Sequence, residues 1–393
     1  MAAVSGHRLL HRVIVRIAVI TESFPPDVNG VAHCVLRVAE HLVRRGHHPL
    51  VIAPRPPASL PRPDHALPYP VVRVPSLPMP CYPGFRIAPA GPGLRAALTG
   101  HGAELVHLAS PFVLGGGGAV AAARLRLPVV AVYQTDVAGY ARAYRLGPAG
   151  QAAAWRRLRR IHNAADRTLA PSTAAAASLH ARGIDRVWLW ARGVDTTRFD
   201  PAKRSGRWRA ELAPGGEVLA GYVGRLAPEK RVELLGRVAT LPGVRLVLVG
   251  SGPAEAAARR AMPTAVFLGQ RHGEELASIY ASLDLFVHSG PHETFGQTLQ
   301  EAAASGLPVV APAAGGPLDL VRHEVTGFLV PPGDPGALAD AVARLASDPG
   351  LRARQGQAAR QRVLGRSWPA LGDELIGHYE AVLQTASPVG VSA

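Results

Sequence analysis

Cysteine is scarce in this 393-residue chain, which has only Cys34 and Cys81. Two cysteines make a disulfide framework improbable and are typical of proteins from a reducing cytosol, so we expect a cytoplasmic protein. The sequence has no Cys-x-x-Cys pair and no Cys/His cluster. A structural zinc site therefore has no support.

Long apolar runs are also missing. No stretch of about 18 uncharged apolar residues occurs, which is what a membrane-spanning helix needs. The short run Val13–Ile20 contains Arg16, follows Arg8 and Arg12, and has no small-residue cleavage site after it. We expect a soluble protein whose loose N-terminal tail leads into a strand.

Acidic residues are few. Lys and Arg number 43 against 28 Asp and Glu, for a net charge of +15. Nucleic acid, an anionic membrane surface or an anionic small substrate would each suit this charge, and so would arginines that merely solvate the surface. No aromatic-interleaved basic ribbon, zinc finger or RNA-binding signature is present, so we expect no nucleic-acid partner.

The chain length predicts two domains, at about 100–200 residues each. Short β-branched runs alternate with Ala- and Leu-rich helical stretches, and the alternation starts again after the Pro- and charge-rich linker Phe199–Gly216. This pattern predicts an α/β protein with two parallel sheets, each covered on both faces. The predicted strands are Val15–Ile20, Pro49–Ile52, Val71–Val74, Leu105–Leu108, Val129–Tyr133, Thr168–Ala170, Val187–Leu189, Val218–Val223, Val244–Val249, Val266–Leu268, Leu285–Val287, Val309–Ala311 and Phe328–Val330. Helices are predicted over Val31–Arg45, Val232–Ala239 and Pro369–Gln384, among others.

A first cluster with chemical character follows a strand of the second half, at Gly224-Arg225-Leu-Ala-Pro-Glu229-Lys230. The carboxyl end of a strand is where open α/β sheets bind ligands. A guanidinium and an ammonium there suit a diphosphate and would stabilise charge on a leaving phosphate. The alternative is a surface charge cluster with Glu229.

A second cluster is Glu293-Thr-Phe295-Gly296, followed by Glu301, again after a buried strand. Seven residues separate the two glutamates, so both can fall on one side of the following turn and helix. Carboxylates there suit the vicinal hydroxyls of a sugar or a ribose. Gly315-Gly316 comes after the next strand.

Two glycine-rich stretches are weaker signals. Gly250-Ser-Gly252 lacks the third glycine of a dinucleotide fingerprint. The run Gly115–Gly118 lacks the Lys-Ser/Thr ending of a phosphate-binding loop, which argues against an ATPase or kinase, and we interpret it as a helix entrance. Asp27-Val-Asn-Gly30 is either an ordinary turn or a helix N-terminus whose amides approach an anion.

Polar residues also follow a strand of the first half, at Gln134-Thr-Asp136. Asp136 either accepts hydrogen bonds from sugar hydroxyls or caps a helix. No two aspartates stand two residues apart, so the Asp-x-Asp arrangement that holds a divalent ion on a nucleotide diphosphate is missing. Arg225 and Lys230 would take that role, and we expect neither metal nor cofactor.

Together these motifs resemble retaining glycosyltransferases of family 4. The resemblance rests on Gly224-Arg225…Lys230, on Glu293-x7-Glu301 with Phe295-Gly296, on the Ala-Ser-Gly-Leu-Pro-Val-Val run ending at Val310, and on Asp27-Val-Asn-Gly30-Val31. It implies the GT-B fold, two Rossmann-like doubly wound domains facing an inter-domain cleft. The implied bounds are residues 1–200 for an acceptor-binding domain, 201–368 for a nucleotide-sugar-binding domain, and 369–393 for a helix that crosses back to the first domain.

Three further stretches resemble GDP-mannose-dependent mannosyltransferases of actinobacterial type: Thr21-Glu22-Ser-Phe-Pro-Pro26, Tyr133-Gln134-Thr135-Asp136-Val-Ala-Gly139-Tyr140 and Gly193-Val194-Asp195. That resemblance implies that Arg225 and Lys230 bind the donor diphosphate and that Glu301 binds the nucleotide ribose. It also implies that Glu293, with the amides around Phe295 and Gly296, binds the transferred sugar, and that the Gly30 amide approaches the donor phosphate.

One departure from the family concerns Gln134, where many members have a histidine. A glutamine cannot exchange a proton, so the general-base role is not carried over. This fits a front-face retaining mechanism in which the leaving phosphate accepts the acceptor's proton, while Gln134 and Asp136 orient sugar hydroxyls.

The acceptor is expected to be a glycolipid, a phosphatidylinositol-type lipid or another glycoside. The basic stretch Gly150–Ala165, with Trp155, either rests on anionic lipid headgroups at the inner face of the membrane or is a solvated helix. A UDP-sugar donor with a soluble acceptor is an alternative within the same class. A non-catalytic nucleotide- or anionic-surface-binding protein is the alternative from another class.

Overall fold

The computed structural model describes residues 14–27, 29–59, 63–79, 82–109, 111–134 and 147–386. The predicted N-terminal tail and Asp136 lie outside these residues. The chain divides into two compact units, Met1–Val130 with Ala381–Ala393, and Ala131–Glu380. The domain bounds implied by the family resemblance concern function and remain a prediction.

The first sheet has seven strands in the order β3-β2-β1-β6-β7-β8-β9. Its strands are β1 (Arg16–Ile20), β2 (His48–Pro54), β3 (Val71–Val74), β6 (Leu105–Leu108), β7 (Val129–Val132), β8 (Arg167–Ala170) and β9 (Val187–Leu189). β1 pairs in parallel with both β2 and β6. The central strands are buried almost throughout, as uninterrupted apolar runs in a parallel sheet covered on both faces should be.

Within the described residues, five helices accompany this sheet: α1 (Gly30–Arg44), α2 (Pro92–His101), α3 (Leu114–Leu125), α4 (Gly147–Ala164) and α5 (Thr173–His180). Their ends follow from local chemistry. Asn29 caps α1 by accepting from the amides of Val31 and Ala32, and Ser172 caps α5. Gly102 ends α2 in the left-handed conformation, with φ 63°.

The second sheet has six strands in the order β12-β11-β10-β13-β14-β15, and every pairing is parallel. Its strands are β10 (Val218–Val223), β11 (Val244–Val249), β12 (Val266–Gly269), β13 (Leu285–Val287), β14 (Val309–Pro312) and β15 (Gly327–Val330). The helices of this half are α6 (Gly206–Leu212), α7 (Glu255–Ala261), α8 (Gly273–Ser282), α9 (Gln297–Ala304), α10 (Pro317–Leu320), α11 (Pro335–Ser347), α12 (Pro349–Val363) and α13 (Trp368–Ala386). Buried apolar residues cover both faces of the sheet, which confirms the predicted two-sided parallel architecture.

The structure differs from the sequence predictions at three places. The helix predicted over Val232–Ala239 is two 3₁₀ helices, Val232–Gly236 and Val238–Thr240, because Gly236 weakens a continuous α-helix there. The predicted linker Phe199–Gly216 contains α6, whose N-terminus is capped by the Ser205 side chain. An antiparallel hairpin of β4 (Leu77–Met79) and β5 (Tyr82–Ile87) was not predicted.

The predicted last helix is present as α13, one residue longer at its start than expected. None of the helices in the described part of the chain combines the length and the apolar character needed to cross a bilayer.

Candidate functional site

The candidate site is built at the carboxyl ends of β10, β13 and β14, three adjacent strands of the second sheet. Each strand end leads into a loop with glycines, at Gly224, Gly290 and Gly315. Backbone without side chains can pack closely there, and the strand ends of such sheets are where ligands bind.

An ion pair lies at the centre of this edge. Lys230 Nζ is 2.6 Å from Glu293 Oε2, and each side chain is 18% exposed. Burial by itself would raise the pKa of Glu293, but the charge of Lys230 and its hydrogen bond outweigh this effect and lower the pKa to about 2. Glu293 is therefore a carboxylate at physiological pH, and the two predicted site residues are brought together.

The backbone of Lys230 is bound by the segment that follows β13. Ser289 Oγ donates to the Lys230 carbonyl oxygen at 2.9 Å. A Cβ at Gly290 would lie 3.1 Å from Lys230 Cα, so this glycine lets the two backbones touch. Lys230 is the last residue of the short 3₁₀ helix Pro228–Lys230. These contacts fix the backbone position from which its ammonium extends.

Glu293 is held from the loop after β14. The Gly316 amide donates to the Glu293 carbonyl oxygen at 2.7 Å. A Cβ at Gly315 would stand 2.4 Å from that same oxygen, and one at Gly316 would stand 2.0 Å from the Phe295 carbonyl oxygen. Gly315-Gly316 therefore serves as a close-fitting support for the segment that carries Glu293.

Phe295 and Gly296 lead from Glu293 into α9. The Phe295 ring is buried in the core of the second sheet. Gly296 has φ 103°, a conformation that strains residues with a Cβ, and it stands at the N-cap of α9. Their predicted contact with a transferred sugar stays a prediction.

Arg225 lies in a turn whose backbone is fixed while its side chain is exposed. Tyr222 Oη donates to the Arg225 carbonyl oxygen at 3.1 Å. A Cβ at Gly250, which has φ 132°, would stand 2.0 Å from the Gly224 carbonyl oxygen, and one at Gly252 would meet Leu226. The Gly250-Ser-Gly252 stretch therefore supports this turn.

Glu301 has its own set of partners. Tyr280 Oη donates to Glu301 Oε2 at 3.2 Å. Burial raises the pKa of Glu301 to about 7, against the opposing effect of the Tyr280 and Gln297 hydrogen bonds. The two glutamates of the motif thus differ in charge behaviour, because Glu293 forms a direct ion pair with Lys230, whereas burial dominates at Glu301.

Two residues of this site, His288 and Arg192, were not predicted from the sequence. His288, at the end of β13, stacks on Tyr222 with 6.3 Å between ring centroids and lies 3.9 Å from Glu293. Burial lowers the pKa of His288 to about 4, so it is neutral at pH 7. Arg192 is 8% exposed and donates from Nη2 to Gln134 Oε1 at 3.1 Å.

Arg192 could be identified as a site residue from the sequence only in part. It directly precedes Gly193-Val194-Asp195, three residues that resemble the mannosyltransferases, but nothing in the chain order links it to Gln134. Gln134 itself is buried directly after β7, and its carbonyl oxygen accepts from Thr294 Oγ1 at 3.2 Å. Gln134 is thereby placed beside the Glu293 segment, whereas the predicted partner Asp136 lies outside the described residues.

Gly30 belongs to the other compact unit, where it is the first residue of α1. The Gly115–Gly118 run lies in the first turn of α3, as predicted. The acidic group at the N-terminus of this helix is a side chain of the protein, Glu22. Glu22 Oε1 accepts from the amides of Phe112 and Gly115 at 3.1 and 3.0 Å. Burial raises the pKa of Glu22 to about 7.

Comparison with known proteins assigns the family. The family described as Glycosyltransferase Family 4 matches residues 28–198, and the one described as Glycosyl transferases group 1 matches residues 206–362. A GDP-mannose-dependent alpha-mannosyltransferase of Mycobacterium tuberculosis is 53% identical over 372 residues, covering 94% of this chain and 97% of that protein. The chain belongs to glycosyltransferase family 4. A GDP-mannose-dependent alpha-mannosyltransferase of Corynebacterium glutamicum is 44% identical over 369 residues, with 94% and 89% covered.

Solved structures agree on the fold of this family-4 glycosyltransferase. Anabaena HepE in complex with UDP has a TM-score of 0.76 at 22% identity, with 93% of this chain and 100% of that chain covered. With its two Rossmann-like parallel sheets, the enzyme has the GT-B fold that the sequence motifs implied. The individual donor-binding roles stay predictions for Arg225, Lys230, Glu293 and Glu301.

Proposed function

We propose that this enzyme transfers mannose from GDP-mannose to a glycolipid or phosphatidylinositol-type acceptor, with retention of configuration and without a metal ion. The observation that carries the donor is the 53% identity to a GDP-mannose-dependent alpha-mannosyltransferase along nearly the whole of both chains. The glycosyltransferase chemistry itself follows from the family.

Arg225 and Lys230 are the proposed diphosphate ligands. Both stand on the loop after β10, at the edge of the sheet where this fold binds ligands. Lys230 already neutralises Glu293, and a diphosphate would share that ammonium as a second anionic partner. Cations aimed at the leaving phosphate stabilise the charge that develops in the transition state.

Retention is proposed to follow a front-face route. The bond from the sugar's anomeric carbon to the leaving phosphate oxygen breaks, and the bond to the acceptor oxygen forms on the same face. The leaving phosphate takes the acceptor's hydroxyl proton, so no protein base is required. Gln134, which cannot exchange a proton, is compatible with this route, and a product of inverted anomeric configuration would reject it.

Metal independence is proposed because the sequence lacks the Asp-x-Asp arrangement and supplies two cations instead. Charge on the diphosphate would be neutralised by Arg225 and Lys230. Addition of EDTA should leave the rate of transfer unchanged, and a rate that depends on magnesium would contradict the proposal.

Contact with an anionic membrane is proposed for helix α4. This helix carries four exposed arginines, at positions 156, 157, 159 and 160. Each basic residue near an anionic surface contributes about 1 kcal/mol. Trp155 stacks on Tyr133 and lies under the Arg182 guanidinium at 4.0 Å, so the arginines would make the lipid contact.

Calorimetric titration with GDP, UDP and ADP, first without metal and then with magnesium, tests the donor. Tighter binding of GDP without metal is expected, and transfer from GDP-[¹⁴C]mannose to a lipid extract should follow. A preference for UDP would leave the proposed site unchanged but would mean that the donor is a UDP-sugar.

A vesicle-pelleting assay tests the membrane contact. The fraction of protein that pellets with vesicles should rise with their anionic lipid content, and pelleting that does not depend on anionic lipid would contradict the α4 contact.

A further inference from the structure

His288 is a buried histidine whose ring nitrogens are not hydrogen-bonded. The residue is 2% exposed, and neither Nδ1 nor Nε2 has a hydrogen-bond partner among the described residues. Its backbone amide donates to the Val310 carbonyl oxygen at 2.8 Å, which fixes the residue beside β14. An unpaired polar group in a protein interior costs stability, and such groups are rare in native proteins. The unpaired ring at this place therefore calls for an explanation.

A carboxylate oxygen lies close to this ring. His288 Nε2 is 3.9 Å from Glu293 Oε2, about 1 Å more than the length of a hydrogen bond. Lys230 Nζ binds the same oxygen at 2.6 Å. The imidazole thus stands beside an oxygen that the ammonium already binds, and a side-chain movement of about 1 Å would bring the ring within hydrogen-bond distance.

The ring is neutral in this position. Burial lowers the pKa of His288 to about 4; the charge of Glu293 and the backbone of Gly290 favour the protonated ring, and the charge of Lys230 opposes it. A neutral imidazole has one N–H group, which can donate to a carboxylate without any uptake of a proton. Glu293, whose pKa is about 2, is ionised and can accept this hydrogen bond.

The ring is packed into the framework that holds the two proposed diphosphate ligands. It stacks on Tyr222 with 6.3 Å between ring centroids and 9° between the ring planes. Tyr222 Oη donates to the Arg225 carbonyl oxygen at 3.1 Å. Ser289, the next residue in the chain, donates to the Lys230 carbonyl oxygen at 2.9 Å. His288 is therefore connected to the backbone of both cations as well as placed beside Glu293.

A bound diphosphate changes the demand on Lys230. Under the proposed function this ammonium serves Glu293 and the diphosphate together, and the diphosphate, with its larger negative charge, draws it away from the carboxylate. Burial opposes the ionised form of Glu293, and Lys230 supplies both charge and a hydrogen bond against that effect. Arg192 also stabilises the carboxylate through its charge. A new hydrogen-bond donor at Glu293 would offset what the diphosphate removes.

We infer that His288 is a positioning residue that donates from Nε2–H to Glu293 Oε2 when a nucleoside diphosphate shares Lys230. The inference rests on the proposed function and goes beyond it by assigning Glu293 a second hydrogen-bond partner in the donor complex. The exchange keeps Glu293 an ionised acceptor for the sugar hydroxyls, and it makes the Lys230 charge available to the diphosphate. The unpaired ring nitrogens are explained by the same exchange.

Calorimetric titration with GDP tests the exchange in His288→Phe, which keeps a ring against Tyr222 and removes the N–H group. Kd for GDP and KM for GDP-mannose should rise roughly 10- to 30-fold, the loss expected for a hydrogen bond to a charged group. The value of kcat should change less than about threefold, because the bond is present both before and during transfer. The variant should melt at or above the wild-type temperature, since unpaired nitrogens are replaced by carbon atoms in a ring of similar shape.

Two amide variants test which ring nitrogen donates. His288→Gln places an NH₂ group near the position of Nε2, whereas His288→Asn places one near the position of Nδ1. Glutamine should restore most of the GDP affinity that phenylalanine loses, and asparagine should not.

His162→Phe is the matched control. His162 is also fully buried, and its Nε2 has no hydrogen-bond partner in the described part of the chain. Its Nδ1 lies 3.1 Å from Thr168 Oγ1, away from the proposed site. The variant should lower the melting temperature by loss of that bond and leave Kd for GDP and kcat unchanged.

A cycle of melting temperatures tests the same exchange without any nucleotide. In Lys230→Met the ammonium is absent, so His288 should donate to Glu293 even in the free enzyme. His288→Phe should therefore lower the melting temperature of Lys230→Met by several degrees, although it does not lower that of wild type.

Wild-type affinity for GDP in His288→Phe would overturn the inference. Equal effects of His288→Phe on the melting temperatures of wild type and Lys230→Met would overturn it as well, and equal rescue by both amides would reject Nε2 as the donor. If Lys230→Met does not fold, the two amide variants decide the question. Failure of the proposed donor is recognised separately, because wild type would then prefer UDP or ADP, with which the same titrations are made.

Discussion

Replacing Glu301 with glutamine should remove the part of the pH dependence of nucleotide binding that comes from residue 301. The Glu301 side chain is partly buried, and burial raises its pKa to about 7 in the protein without ligand. Tyr280 donates to one of its oxygens at 3.2 Å and the Gln297 side chain also hydrogen-bonds the carboxyl, which leaves its remaining acceptor capacity for a ligand. If ribose hydroxyls bind there, they need the ionised form, whose oxygens only accept.

The magnitude follows from the titration. With a pKa of about 7, the carboxyl is roughly 90% ionised at pH 8 and roughly 10% ionised at pH 6. Binding that requires the carboxylate lowers this pKa and releases a proton, so affinity rises as pH rises through 7. GDP should therefore bind wild type about 10-fold more tightly at pH 8 than at pH 6 through this group.

The assay is calorimetric titration of GDP at pH 6, 7 and 8 for wild type and Glu301→Gln. The phosphate groups of GDP also titrate, but they do so equally in both proteins, so the ratio of the two affinities isolates residue 301. That ratio should change about 10-fold across the range, with weaker binding by Glu301→Gln at pH 8. A ratio independent of pH would refute the ribose contact of the carboxylate, even if GDP binds.

Three further outcomes are expected. Alanine at Lys230 or Arg225 should lower turnover by roughly two to three orders of magnitude, because a cation at the leaving phosphate is lost; near-normal steady-state rates in both variants would reject the site. Glu22→Gln should become relatively more stable as pH rises from 5 to 8, since the raised pKa of Glu22, about 7, costs wild type about 2–3 kcal/mol of folding stability over that range. Urea unfolding at pH 5 and pH 8 measures the free energy of unfolding of both proteins. An equal change in this free energy between the two pH values in wild type and Glu22→Gln would contradict the prediction. Gly316→Ala should weaken GDP-mannose binding and lower the melting temperature by several degrees, because its Cβ would stand 2.0 Å from a carbonyl oxygen. Gly236→Ala, with open space at its Cβ, is the control and should change neither.

The strands and the loops after them were predictable because each has a local signal. β6, β10, β11 and β13 have the predicted bounds, since a buried parallel strand is a short β-branched run that ends at turn residues. The carboxyl ends of parallel strands lie on one edge of the sheet, so Lys230 and Glu293 could be assigned to one site before their 2.6 Å contact was known.

Whether a segment forms an α-helix, a 3₁₀ helix or a linker was less predictable, because tertiary packing helps to decide it. The 3₁₀ helices at 232–240 have the apolar residues of an α-helix, but the first of them ends at Gly236 and the second packs against the neighbouring strand β11. Helix α6 was hidden in a stretch of prolines and charges that has the composition of a linker. Composition gives no information about the capping bond from Ser205 that starts this helix.

The sequence by itself determined the two-sheet α/β architecture, the family and the identity of the charged residues at the strand ends. These depend on patterns within a few residues, which the chain order preserves. Only the tertiary structure decided which groups act together: that Gly315-Gly316 supports Glu293, that Glu293 and Glu301 have opposite pKa shifts, and that Arg192 hydrogen-bonds Gln134. The physical reason is that close approach and burial arise between residues tens of positions apart, and folding sets those distances.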